Sequence, residues 1–161
     1  NAKYSDLYTN SDVDFYVNSS IIVSDLNHLE VRTGDVVRAV THDFADGQYI
    51  RTIVMPKGLT GVSEIHAKNH PYFITKGEVS VFSEKGVQRI KAPYHGITEA
   101  GTQRLLYIHE ECTWITVHRS DCLTPAEVRA EVLLDSFDNF SLKGFNVAEI
   151  EQTIQRFKEK E

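Results

Sequence analysis

The feature that most constrains this chain is a train of short β-prone runs, each ended by a turn residue. YIRTIVM (49–55) stops at Pro56-Lys57-Gly58. The run 72–75 ends at Lys76-Gly77, 79–82 at Glu84-Lys85-Gly86, and 87–90 at Ala92-Pro93. The run 104–108 ends at His109-Glu110-Glu111, and 114–118 closes the series. Weaker alternation precedes them at Val13-Phe15-Val17, Ile21-Val23 and Leu29-Val31. The even spacing of these runs and their Gly or Pro punctuation predict an all-β antiparallel sandwich or small barrel.

The pattern changes after His118. Thr124-Pro125-Ala126-Glu127 is a capping box with proline at the first helical position, and predicts a helix to about Leu134. Asn146-Val147-Ala148-Glu149 repeats the device and opens a final helix with Val147, Ile150, Ile154 and Phe157 on one face. Its end, Lys158-Glu159-Lys160-Glu161, is expected to fray. The expected organisation is an N-terminal extension over 1–12, a β-barrel domain over 13–122 and a helical segment over 123–161. That helical face is expected to dock on the barrel or on a second subunit, so a homo-oligomer, a homodimer first, is the expected assembly. A length of 161 residues suits one domain with its own core.

Charge narrows the partners. A formal net charge of −6 argues against nucleic acid, which needs a basic face to displace counterions. It also argues against a peripheral membrane helix rich in Lys and Arg. No run reaches the ~18 apolar residues of a membrane span. No basic–apolar–small leader pattern is present, and a cytoplasmic setting is the expectation. Cys112 and Cys122 are too few and too far apart for a zinc knuckle or CxxC motif, and are expected as free thiols.

From Gly61 to His118 the chain resembles the single-domain cupins, small β-barrels that usually hold a metal. Gly61, Glu64-Ile65-His66, His70 and Tyr72-Phe73-Ile74-Thr75-Lys76-Gly77 fill the frame of the first cupin motif. Glu99-Ala100-Gly101-Thr102-Gln103-Arg104 fills the turn of the second, and Ile108 stands at its Asn place. HDFADGQYIR, IHAKNH, IKAPY, AGTQR and TWITVH are also similar to cupin-like proteins of bacteriophage and prophage genomes that lack an assigned activity. The resemblance covers roughly residues 41 to 120 and implies a jelly-roll barrel with one or two C-terminal helices appended.

The motif's residue types are permuted. The frame puts Glu64, His66 and His70 at the metal-ligand places, and Arg104 where a fourth histidine usually stands. Arginine stays protonated and cannot coordinate a metal. One carboxylate and two imidazoles suit Fe, Zn, Mn or Ni. Alternation along a strand puts Glu64 and His66 on one face, and Arg104, Leu106 and Ile108 on another shared face. Two outcomes stay open. Either a divalent metal binds Glu64, His66 and His70 while Arg104 holds a small anionic ligand, or Arg104 pairs with Glu64 in place of a metal.

Tyr72, Trp114 and His118 join Arg104 as candidate ligand-binding residues, with Trp114, Thr116 and His118 sharing one strand parity. Tyr94 and Tyr107 carry hydroxyls that could orient a ligand, with no further signal for it, while His28 and His109 read as solvent-facing. There is no Gly-rich phosphate loop and no GxSxG elbow. The permuted motif favours an anion-binding or accessory protein. The alternative is a metal-dependent enzyme, an oxygenase, isomerase or hydrolase.

Overall fold

The structure, a computed structural model, describes residues 15–18, 21–25, 28–31, 36–37, 40–63, 65–83, 85–133 and 147–161. The strands are β1 (Phe15–Asn18), β2 (Ile21–Asp25), β3 (His28–Val31), β4 (Val36–Val37), β5 (Val40–Ala45) and β6 (Gln48–Met55). They continue with β7 (Thr60–Val62), β8 (His70–Ser83), β9 (Gly86–Lys91), β10 (Tyr94–Thr98) and β11 (Leu105–Arg119). Two helices follow, α1 (Pro125–Val132) and α2 (Val147–Lys160). The pairings are antiparallel throughout.

The long strands β8 and β11 form the spine. They pair from Leu105↔Phe82 to Thr116↔Tyr72, with register shifts between Ile108 and Trp114. One half of the pair carries β9 on β8 and β7 on β11. The other half carries β10 on β8 and β6 on β11, with β5 beyond β6. The same two strands therefore serve both halves of a cupin-type jelly roll, the expected fold class. Between the halves lies a core that includes Ile53, Met55, Ile74, Val79, Leu106, Ile108 and Trp114.

Two expected breaks are bends instead. The runs 72–75 and 79–82 are one strand, and so are 104–108 and 114–118. Gly77 explains the first. Its φ of 92° is a left-handed conformation, and a Cβ there would sit 2.1 Å from the Glu111 carbonyl oxygen. Glycine lets β8 cross close over β11 and bend without losing the ladder.

The N-cap half of the capping box forms at α1, where the Thr124 side chain accepts from the Glu127 N–H at 3.3 Å. Val128 and Val132 of α1 pack with Tyr49. Along α2, Ile150 and Ile154 are buried and Phe157 stacks on Tyr107 at 5.5 Å. The helix runs to Lys160, and the Glu161 carboxylate accepts from His109 Nδ1 at 2.6 Å and from the Tyr107 hydroxyl at 3.0 Å. His109, expected at the surface, is buried, with Ser80 Oγ 2.7 Å from its Nε2. It shares the face of Tyr107, two residues earlier, and α2 covers both through Phe157 and Glu161. Among the described residues no helix is long and apolar enough to cross a membrane. Both cysteines are free thiols.

Candidate metal centre

Three histidines from separate stretches of the chain converge at one end of the barrel. His66 stands on the connection from β7 to β8. Its carbonyl accepts from Gly101 N at 2.9 Å, and the next N–H, of Ala67, donates to the Val132 carbonyl at 2.7 Å. The connection is thus pinned between the 99–101 turn and the end of α1. His70 opens β8, and with Nδ1 protonated it donates to the Lys68 carbonyl at 3.3 Å. His118 lies near the end of β11, opposite Tyr49 of β6. The pairing Tyr72↔Thr116, carried two residues further, sets His70 beside His118.

The ring centroids are 4.3 Å apart for His66–His70, 4.3 Å for His70–His118 and 5.2 Å for His66–His118. One ligand atom from each lies within 4.8 Å of the other two. Burial pushes His66 down to about 2, helped by His70, His118, Arg51 and Arg104. Burial also pushes His118 down to about 3, with His70 and Arg51 adding to it. His70 is lowered by burial as well, against its bond to the Lys68 carbonyl. All three imidazoles are therefore neutral at pH 7, the form that offers a lone pair to a metal.

Beside them is a cavity of about 60 Å³, lined by polar side chains including Arg51, Ser63, His66, His70 and Arg104 and by apolar Ile53, Met55, Leu106 and Trp114. Among the described residues lining it there is no carboxylate. Arg104 has its guanidinium carbon 4.9 Å from the Tyr72 ring centroid, and Tyr72 stacks on Trp114 at 4.8 Å. Burial works against the Arg104 charge, and Tyr72 is its nearest support. Among the described residues no carboxylate pairs with it.

The candidates of the sequence fall as follows. His66, His70 and Arg104 come together, and Trp114 joins them in the cavity wall. Tyr72 stands behind Arg104. Glu64 lies outside the described residues. His118, read as a ligand-binding residue, meets the two histidines directly. Arg51 went unnoticed. Its signal was parity, because Tyr49, Ile53 and Met55 on the same alternating face of β6 are all buried. Tyr107 turns its hydroxyl to Glu161, far from any ligand role.

No protein-family model and no curated protein matches the chain. Among solved structures it is similar to ectoine synthase from P. lautus, at 13% identity and TM-score 0.48, over 83% of this chain and 89% of that one. It is similar to a cupin-2 domain containing protein from Shewanella frigidimarina, at 8% identity and TM-score 0.43, over 50% of this chain and 79% of that one. A cupin superfamily protein from Desulfitobacterium hafniense gives 13% identity and TM-score 0.43, over 51% and 78%. These likenesses concern the jelly-roll fold alone.

Proposed function

We propose that this chain binds a divalent metal through His66, His70 and His118 and holds a small organic anion beside it with Arg104. The observation that carries the reading is the convergence of three ligand atoms within 4.8 Å, from residues 66, 70 and 118. The donor set fits: three neutral imidazoles suit Zn, Fe, Ni or Mn and leave coordination positions open. A metal bound there supplies Lewis acidity.

The chain supplies the rest. The β8–β11 register and the pinned 65–67 connection hold the rings in place. Three neutral ligands leave the metal's charge uncompensated, so an anion is favoured over a neutral guest. The Arg104 guanidinium offers paired donors to a carboxylate. Ile53, Met55, Leu106 and Trp114 form the apolar wall of the cavity.

Elemental analysis of protein purified without chelator or nickel resin tests this. About one divalent metal per chain is expected, lost in the His66→Ala/His70→Ala variant. A metal-free protein whose melting temperature ignores added Zn, Fe, Mn and Ni would sink the reading.

A further inference from the structure

Arg104 faces two spaces. It lines the histidine cavity, and it also lines an outer groove of about 460 Å³ between the β8–β9 turn, β10 and the 99–104 segment. Among the described residues it is the one that borders both. The inner cavity, about 60 Å³, admits a carboxylate-sized group and little more. Sites for whole metabolites run to several hundred Å³. A molecule that reaches the histidines must therefore leave its larger part in the groove.

The groove's chemistry says what that part is. It presents Ser83, Gln88, Tyr94, Thr102 and Gln103 around the approach to Arg104. Gln103 is only 7% exposed, and its amide Nε2 has no hydrogen-bond partner. A buried amide left unmatched is unfavourable, so an acceptor brought by a guest is worth more here than at an open surface. Across the outer rim, Lys85 Nζ pairs with Glu99 at 3.2 Å and ties the β8–β9 turn to the 99–104 segment.

We propose that this outer groove and the histidine cavity form one binding site for a polyhydroxylated organic acid. Its carboxylate lies against Arg104 at the junction, and its hydroxyl-bearing chain lies in the groove against Gln103. This rests on the anion-binding reading above and extends it to a ligand class.

Trp114 is the single tryptophan and lines the inner cavity, so its emission reports occupancy. The test titrates gluconate and acetate, separately, into metal-loaded and metal-free protein, with metal content measured alongside. Gluconate is expected to bind at least tenfold more tightly than acetate. Arg104→Gln should weaken gluconate at least tenfold with metal content unchanged. Arg104→Lys keeps the charge, serves if the first variant folds poorly, and should fall between. Gln103→Ala should erase most of the gluconate preference and leave acetate alone. Equal affinities for gluconate and acetate, or gluconate binding indifferent to both Arg104 variants, overturns the proposal. A protein that takes up no metal yet shows the Arg104-dependent gluconate preference removes the metal reading and keeps this one.

Discussion

The guanidinium of Arg104 lies over the ring of Tyr72, 4.9 Å from its centroid. Tyr72 in turn stacks on Trp114 with ring planes 16° apart. A half-buried cation is thus carried on an aromatic face, an arrangement worth about 0.5–2 kcal/mol. Tyr72→Phe keeps the ring but removes the hydroxyl that bonds Arg104 and Tyr94, and should cost about 1–3 kcal/mol in urea denaturation. Tyr72→Leu empties part of the core and should cost about 2 kcal/mol or more. It should also shift Trp114 emission and weaken anion binding. A Leu variant as stable as the parent, with unaltered emission, would show that the stack supports nothing.

Gly77 and Gly86 share a positive φ, 92° and 103°, but differ in surroundings. A Cβ at Gly77 meets the Glu111 carbonyl oxygen at 2.1 Å, whereas one at Gly86 meets nothing within 4 Å. Gly86→Ala should cost only the backbone term, about 1 kcal/mol. Gly77→Ala adds a clash with backbone that cannot give way, and should cost several times as much or prevent folding. Chemical denaturation of the two variants reads the difference. Equal costs would mean the β8–β11 crossing is loose at this point.

Local pattern made the strands, the turn glycines and the α1 cap legible in the sequence, because each is set by residues a few positions apart. The bends were not legible. Lys76-Gly77 reads as a strand end, and only its approach to Glu111, 34 positions away, makes it a bend. His109 was hidden for the same reason: it reads as part of a turn, and only α2 covers it, bringing Glu161 from 52 positions away. The site was half legible. His66 and His70 are neighbours in sequence, but the third imidazole comes from the far end of β11 through the Tyr72↔Thr116 register. Arg51 was hidden because charge on a β-run suggests solvent, while its alternating neighbours Tyr49 and Ile53 are buried.

His109 and His118 are both buried, at 2% and 5% exposure, yet serve different ends of the molecule. His118 meets His66 and His70. His109 bridges Ser80 and Glu161 and so fixes the end of α2 to the barrel. His118→Ala should abolish stoichiometric metal binding and leave α2 protected. His109→Ala should keep the metal and raise amide hydrogen exchange along 147–160. Opening a buried hydrogen-bonded pair should also lower its stability by about 1–3 kcal/mol. Loss of metal in His109→Ala, in protein that remains folded, would contradict this division.

The last prediction concerns alkaline pH. Burial pushes the Cys112 thiol up to about 12. Burial, then the bond to Glu161, pushes the Tyr107 hydroxyl up to about 12. Both groups are acids held neutral in the fold. In the unfolded chain they ionise earlier, near ~8.5 for cysteine and ~10 for tyrosine. The unfolded state therefore releases protons first as pH rises. The stability these groups contribute is complete below the unfolded values and is lost as pH climbs toward 12. The melting temperature should fall above pH 9 and more steeply above pH 10. Cys112→Ala should flatten the first part of that slope, whose full extent is about 5 kcal/mol. Thiol labelling checks the same group directly. At pH 8 the native protein should react at half-buried Cys122, while Cys112 reacts only after denaturant is added. Labelling of both thiols at one rate in native protein would show that the 108–113 bulge opens far more often than its packing implies.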